Sequence, residues 1–283
     1  MPSLIYAMDT AFYHSLGAYP FAARCEMLRE LGYDATYLTL WSTMAWADVP
    51  LLASVTAQYG LQVAAVYTLL DITAPPDHPG NAGILQLLET LEGCATVELA
   101  LQAGDPPVPP SDPRGDAYAV GWLERLLLVA ERRGLTLALY PHVTFWLERV
   151  VDAVRLCRAL AHPALGLVFP GYHWYAVDGQ QLPAQLAEAA PYLRLANLCG
   201  TRRVEGRWSG MAPTIEPLDE GELDNFVVLG QLRAVGYQGM LGVQGYAVGG
   251  DVYTKLRRSL ATLRDMERRL KAHPHWAHLR PPA

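Results

Sequence analysis

Short apolar runs alternate with amphipathic segments along the whole chain, and this alternation predicts the secondary structure. The apolar runs are continuous, a pattern typical of parallel strands that are covered on both faces. They predict eight strands, at Leu4–Asp9, Ala35–Leu40, Leu61–Thr68, Ala95–Leu101, Leu135–Tyr140, Leu165–Phe169, Leu193–Leu198 and Gly239–Gln244.

The segments between these runs carry apolar residues at helical spacing. They predict helices at Phe21–Leu31, Val49–Tyr59, Asn81–Leu91, Tyr118–Arg133, Leu147–Leu160, Leu223–Val235 and, last, about Asp251 to Lys271. Several of these helices are followed at once by glycine, which favours a left-handed stop at Gly32, Gly60, Gly134 and Gly236.

Eight strand–helix units predict an α/β fold of one domain, a closed (β/α)₈ TIM barrel over residues 1–272 with a C-terminal tail over 273–283. The alternative is an open doubly wound sheet. That fold needs fewer strands, and its usual G-x-G-x-x-G turn is missing after the first strand of this chain.

Composition narrows the range of partners. The 283 residues carry a formal charge of −6 and no basic block, which disfavours nucleic acid as a partner. The longest uncharged stretch, residues 159–177, contains two Pro and two Gly, so it predicts a strand followed by a loop and not a membrane span. The N-terminus lacks a signal peptide pattern, and four scattered cysteines form no C-x-x-C pair, so we expect a cytoplasmic protein.

Four strand ends in the second half of the chain hold the candidate chemistry, because the C-terminal ends of barrel strands carry the active sites of this fold. None of the four has a carboxylate at its tip. They are Tyr140-Pro141-His142, Phe169-Pro170-Gly171-Tyr172-His173, Ala196-Asn197-Leu198-Cys199 and Val243-Gln244-Gly245-Tyr246.

These strand ends resemble those of the xylose isomerase-like barrel superfamily, which includes sugar epimerases, inosose dehydratases, hydroxypyruvate isomerase and metal-dependent apurinic endonucleases. The run 139–142 resembles the superfamily's Glu-Asn/Pro-His on strand five, and 170–173 resembles its Asp-x-x-His after strand six. Residues 217–224 resemble its Pro-Leu-Gly-x-Gly-x-x-Asp. The resemblance covers nearly the whole chain.

The resemblance also implies where a metal would bind. In the superfamily a Glu, an Asp, a His and a Glu from strands five to eight hold one Mn, Mg, Co or Zn ion. The matching positions here are Tyr140, Pro170, Asn197 and Gln244. Proline has no ligand atom, and the two amides compensate no charge. We therefore predict no cofactor and the loss of the family metal.

Two histidines remain for acid–base chemistry. His173 and His142 titrate in a suitable range to move a proton, with Tyr140 as a further acid. The alternatives are structural: a packed His173, a His142 that positions Tyr140, and a Tyr140 that fills the space of the lost ion. Asn197 and Gln244 are predicted to bind sugar hydroxyls or an enolate oxygen, unless they only fill the barrel core.

Aromatic and basic residues complete the predicted site. Tyr172, Trp174 and Tyr246 suggest a platform for sugar rings, although aromatic clusters often form cores or oligomer interfaces. Arg202, with Arg203 and Arg207, would clamp a carboxylate or phosphate, unless these side chains are simply solvated. Asp9 and Glu98 are the nearest carboxylates, and neither is a convincing base. Glu98 shares the parity of Ala100 and Gln102 on its strand. If buried it would need a partner or a raised pKa, and on the helix-facing side it would be structural.

Together the residues and the resemblance imply an isomerase, epimerase or lyase that moves a proton beside the carbonyl of a keto-sugar without the usual divalent metal. The alternative is a non-catalytic sugar-binding pseudoenzyme. An endonuclease would need a metal and a basic groove. A small-molecule carbohydrate is the only partner predicted. The sequence leaves open whether the chain forms a homo-oligomer.

Overall fold

The computed structural model describes residues 3–13, 15–177, 179–203, 214–246 and 249–278. Eight parallel strands form a closed barrel in which each strand pairs with the next and β8 pairs with β1, so the predicted (β/α)₈ barrel is confirmed. The strands are β1 (Ile5–Ala7), β2 (Ala35–Thr39), β3 (Gln62–Asp71), β4 (Thr96–Gln102), β5 (Thr136–Leu139), β6 (Leu165–Pro170), β7 (Leu193–Leu198) and β8 (Met240–Val243).

Helices surround the barrel. Those of the described residues are α1 (Phe21–Leu31), α2 (Thr43–Asp48), α3 (Val55–Tyr59), α4 (Pro79–Thr90), α5 (Asp116–Arg133), α6 (Val150–Leu160), α7 (Gly171–Val177), α8 (Leu182–Ala189), α9 (Asn225–Ala234) and α10 (Val252–Ala272). Gly32, Gly60, Gly134 and Gly236 have positive φ between 66° and 87°, which confirms the predicted left-handed stops. No helix within the described ranges is long and apolar enough to cross a membrane.

Two helical predictions need correction. The single helix expected over Val49–Tyr59 is a 3₁₀ segment, Val49–Ser54, followed by α3, and it contains Pro50, which has no N–H to donate. The segment after β6, expected as a loop, is the helix α7, which begins on the residue that follows the strand. This helix carries His173.

Alanines and tyrosines share the interior of the barrel. Small residues on β2 to β5, among them Ala35, Ala64, Ala65, Ala100 and Ala138, leave space that large rings fill. The rings belong to four buried tyrosines, Tyr6, Tyr37, Tyr67 and Tyr140. A separate and larger apolar core lies between the barrel and the helices. The interior is therefore packed with side chains below the mouth where the candidate site lies.

Candidate active site at the mouth of the barrel

Two histidines from neighbouring strands meet at the C-terminal mouth. His142 follows β5 by three residues, and His173 lies in the first turn of α7, directly after β6. Because β5 and β6 are paired in the barrel, the two rings come together with centroids 4.1 Å apart. The structure thus brings together the two residues that the sequence singled out for proton transfer.

Backbone contacts give the two rings opposite tautomers. His142 Nδ1 lies 2.7 Å from the carbonyl oxygen of Val143, so this nitrogen carries the proton and Nε2 keeps a lone pair. The Val143 N–H donates to His173 Nδ1 at 3.2 Å, so the proton of His173 is on Nε2. In its neutral form the pair therefore offers one nitrogen that accepts a proton and one that donates.

Burial keeps both rings neutral. It lowers the pKa of His142 to about 4, although the hydrogen bond to the Val143 carbonyl acts in the opposite direction. It also lowers the pKa of His173 well below its usual value, and the charge of His142 lowers it further. At neutral pH His142 is thus an available but weak base.

Tyr140 lies between the histidines and the tyrosines of the interior. Its ring is almost fully buried and meets the His173 ring at 5.5 Å and the Tyr67 ring at 5.2 Å, both edge to face. Burial, followed by the charge of Glu98, raises the pKa of Tyr140 well above 10. The phenol therefore stays protonated.

Asn197 is held in one orientation. Its Oδ1 accepts a hydrogen bond from the Tyr6 hydroxyl, and a side chain at Gly242 would collide with both groups. Its Nδ2 is buried and has no hydrogen-bond partner of normal geometry among the described residues. Asn197 nevertheless lies close enough to Tyr140 to lower the pKa of the Tyr140 phenol, against the effect of burial. Asn197 is thus a positioned amide with a spare donor.

Gln244 occupies the corresponding place at the end of β8. Its backbone N–H donates to the Leu198 carbonyl, while its side-chain Oε1 is buried without a partner in the described part of the chain. No hydrogen bond joins the Gln244 and Asn197 side chains within that part. If the two amides only filled the barrel core, they would have to hydrogen-bond to each other. They do not, which favours a role in lining the pocket.

The predicted aromatic platform is only partly assembled. Tyr172 packs edge to face on His173 at 4.9 Å. Tyr246 is 37% exposed and lies edge-on to Trp41, which in turn meets Tyr67 below it. Trp174 is placed differently, because it packs on Phe169 in the outer core and its Nε1 donates to Gln185. The structure does not bring Trp174 to this group.

The predicted anion clamp is already occupied by protein groups. Arg202 donates from Nε and Nη2 to the two carboxylate oxygens of Glu216, at 2.8 and 2.9 Å. Arg203 donates to the Tyr175 carbonyl and lies over the Tyr175 ring. Arg207 lies outside the described residues. Arg202 and Arg203 are therefore both engaged with protein groups.

Glu98, which the sequence did not favour as a base, is a carboxyl group in an unusual environment. It lies on β4, inside the barrel and fully buried, where Tyr37 donates to its Oε2 and Oε1 has no partner within the described ranges. Burial raises its pKa to about 8, partly opposed by the Tyr37 hydrogen bond. The signal in the sequence was its shared parity with the inward-facing Ala100.

Asp9 is a structural carboxylate. Its Oδ1 accepts from the Thr39 hydroxyl at 2.6 Å, and its Oδ2 is bound by the Thr39 N–H and by Arg24 at 3.1 Å. Burial raises its pKa, while Thr39 and then Arg24 act in the opposite direction. The carboxylate joins β1 to β2 and α1.

The donor set at the mouth does not fit a divalent ion. The four residues that the resemblance matches to the family's ligands are a phenol, a proline and two amides, namely Tyr140, Pro170, Asn197 and Gln244, and none of them supplies the negative charge of a carboxylate. Within the described residues no group of three or more His, Cys, Asp or Glu is arranged to hold a metal.

Comparison with known proteins places the chain in a family. A family model described as "Xylose isomerase-like TIM barrel" matches residues 25–266. The chain therefore belongs to the xylose isomerase-like TIM barrel family. No curated protein matches it.

Solved structures share the fold at low identity. The 3-keto-D-glucoside 4-epimerase YcjR from E. coli is 19% identical with a TM-score of 0.71, and the match covers 93% of this chain and all of that one. An L-ribulose 3-epimerase is 16% identical with a TM-score of 0.74, over 100% of both chains. The probable 3-DHS dehydratase AsbF from Bacillus anthracis is 14% identical with a TM-score of 0.70, over 92% of this chain and 98% of that one. At these identities the likeness establishes the fold alone.

Proposed function

We propose that the protein catalyses proton transfer beside the carbonyl of a keto-sugar, in an isomerisation, an epimerisation or an elimination, without a divalent metal. The observation that carries this proposal is the histidine pair, two neutral rings in contact at the mouth with opposite tautomers. One base and one donor side by side are what enolisation requires.

The residues divide the reaction as follows. His142 Nε2 removes the proton from the carbon next to the carbonyl and becomes an imidazolium. The electron pair moves to the carbonyl oxygen, which His173 Nε2–H and Asn197 Nδ2 stabilise as hydrogen-bond donors. Return of the proton to the opposite face of the same carbon gives the epimer. Its delivery to the former carbonyl carbon gives the isomer, as the hydroxyl on the deprotonated carbon passes its own proton to the former carbonyl oxygen. In an elimination the His142 imidazolium protonates the departing hydroxyl, which leaves as water. Because His142 is a weak base, the substrate must have an acidic C–H, as an already oxidised keto-sugar has.

The comparisons support a carbohydrate substrate. Two structural relatives are named as epimerases of sugars, a 3-keto-D-glucoside and L-ribulose, and a third as a dehydratase. The absence of metal from the reaction is likewise a proposal, which rests on the chemistry of Tyr140, Pro170, Asn197 and Gln244. The formal charge of −6 supports the exclusion of nucleic acid. The four cysteines, all buried and free, support a cytoplasmic location.

A second candidate is a non-catalytic protein that binds sugars. Its support is that His173 is only 4% exposed and that tyrosines fill the barrel below it. A pseudoenzyme of this kind would bind a keto-sugar and leave every C–H bond intact.

Deuterium exchange separates the two candidates. The protein is treated with chelator, mixed in heavy water with a panel of keto-sugars, and followed by NMR for deuterium at carbon. We expect exchange at a carbon next to the carbonyl of at least one sugar. Binding without exchange across the panel would favour the pseudoenzyme.

A further inference from the structure

A cleft opens at the rim of the barrel beside the histidine pair. It has a volume of about 320 Å³ and lies between the end of β4 and the segment that follows β5. The residues that line it come from the end of β4 and the segment after it, and from the segment after β5: Gln102, Ala103, Gly104, Val108, Thr144, Phe145 and Trp146. This volume is at the lower end of small-molecule sites, roughly 300–1,000 Å³.

Phe145 is the wall between this cleft and His142. Its ring stacks on the His142 ring with centroids 4.0 Å apart and an interplanar angle of 19°. The same side chain lines the cleft and is only partly buried. One aromatic ring therefore separates a molecule in the cleft from the proposed base.

The segment that builds this wall is strained and braced. Thr144 has a φ of 74°, in the left-handed region that β-branched residues rarely adopt. Its N–H donates to Glu148 Oε1 at 2.9 Å, and the Trp146 Nε1 donates to the Asp112 carbonyl at 2.9 Å. Backbone strain of this kind is retained where the surrounding structure enforces it, and it concentrates at functional sites.

The cleft is built for a neutral ligand. Its seven lining residues, all of them described, carry no charged side chain. The carboxylates beside it are fixed to its backbone, since Asp71 accepts from the Gly104 N–H at 3.2 Å and Glu148 accepts from the Thr144 N–H. A phosphate would meet uncharged walls and negative neighbours, while Arg202 is already paired with Glu216.

We propose that this cleft binds an uncharged, unphosphorylated keto-sugar, with an apolar ring face on Phe145 and hydroxyls on the Gln102 amide and the Thr144 hydroxyl. Phe145 lies between the bound sugar and His142, so its ring must turn aside before the sugar reaches the base. This inference rests on the proposed function, because it names the substrate class and the binding place for the same proton transfer.

Binding is measured by NMR titration with a panel of neutral ketopentoses and ketohexoses and with their phosphate esters. Val108→Trp fills the cleft from its edge, and Leu128→Trp adds the same bulk on the outer surface of α5, where Leu128 is exposed. We expect neutral sugars to bind the wild type and Leu128→Trp alike, and Val108→Trp and the phosphate esters each to weaken binding at least about tenfold. Unchanged binding by Val108→Trp, tighter binding of the esters, or no binding of any neutral sugar by the wild type would overturn the inference.

Phe145→Ala supplies a readout that does not need a sugar. Because burial lowers the pKa of His142 to about 4, removal of the Phe145 ring should raise that pKa toward 6.5. Val108→Ala, which trims the cleft away from His142, should leave it unchanged. An NMR titration that gives Phe145→Ala the wild-type pKa would contradict the placement of this wall.

Deuterium exchange on the same samples distinguishes a wrong binding site from a wrong reaction. Exchange that Val108→Trp leaves intact would reject the cleft and keep the reaction. Binding in the cleft without any exchange would reject the reaction and keep the site.

Discussion

The interior of the barrel and its mouth use polar residues in opposite ways. In the interior the Tyr37 hydroxyl is bonded to Glu98 and the Tyr6 hydroxyl to Asn197, all of them buried. At the mouth the backbone of Val143 fixes two neutral histidines beside an open cleft. In neither region do the described residues include a group of three or more His, Cys, Asp or Glu that could hold a metal ion. The interior therefore bonds its polar side chains to one another, whereas the mouth positions its histidines through the backbone.

Burial of Glu98 in the interior makes the stability of the protein depend on pH. Its pKa of about 8 lies above the value of 4.5 for an unfolded Glu, so between these pH values the folded chain keeps a proton that the unfolded chain releases. The stability contribution is therefore full below pH 4.5 and is lost as pH rises through 8. The largest effect we expect follows from this shift.

Glu98→Gln should remove this pH dependence, because a glutamine cannot ionise. The wild type should lose stability relative to the variant by about 4 kcal/mol between pH 5 and pH 8, from roughly 1.4 kcal/mol per pH unit. Urea unfolding at several pH values measures the difference. Parallel stability curves for the two proteins would show that Glu98 is not a neutral acid at pH 7.

Substitutions at the mouth should change the rate of deuterium exchange. His142→Ala and His173→Ala should each lower deuterium exchange by about 100-fold or more, because each removes one partner of the proton transfer. In the wild type the rate should be flat from pH 6 to pH 8 and fall in acid as His142 is protonated near its pKa of about 4. His162→Ala is the matched control, since His162 precedes β6 at the opposite end of the barrel. A similar loss in all three variants would remove the distinction between the two ends.

Gly242 tests the close packing of the interior. A methyl group there would collide with Asn197 Oδ1 and the Tyr6 ring, so Gly242→Ala should destabilise the protein by about 2 kcal/mol. The matched glycine is Gly121, exposed on α5, where a methyl group meets nothing within 4 Å among the described residues. Gly121→Ala should stabilise by about 0.5–1 kcal/mol. Thermal unfolding of both variants should give shifts of opposite sign.

Tyr6→Phe should have the smallest effect on stability. It tests both regions, because the Tyr6 hydroxyl in the interior bonds to Asn197 at the mouth. Loss of the hydroxyl leaves the Asn197 Oδ1 unbonded, so we expect a loss of about 1 kcal/mol in stability together with slower exchange. Tyr253→Phe removes an exposed hydroxyl that donates to Glu30 and should change stability by less than about 0.5 kcal/mol. Slower exchange in Tyr253→Phe as well would show that Tyr6 does not act through Asn197.

Much of this fold was predictable from the sequence. Continuous apolar runs located all eight strands, and glycine marked four helix ends. The segment 171–177 was missed because Pro170-Gly171 is typical of a turn. Within α7, Trp174 points about 100° away from His173 and packs on Phe169 in the outer core, which conflicts with the predicted platform. A loop interpretation hides this conflict, which is why Trp174 was assigned to the platform.

The site was predictable in its members more than in its contacts. Strand ends identified His142 and His173, but their ring contact depends on how β5 and β6 pair and on where α7 begins. Parity indicated that Glu98 shares a face with Ala100, but only the closed barrel shows which face is inside. The stacking of Phe145 on His142 arises in an irregular segment whose backbone no periodicity describes.

The most direct test of metal-free proton transfer is one rate measured on one sample. Deuterium exchange into a responsive keto-sugar is followed before chelation, after exhaustive chelation, and after addition of Mn, Co or Zn. We expect the same rate in all three states, because the proposed transfer uses only His142 and His173. A rate that disappears on chelation and returns with one ion would contradict the proposal and restore a metal-dependent reaction at this mouth.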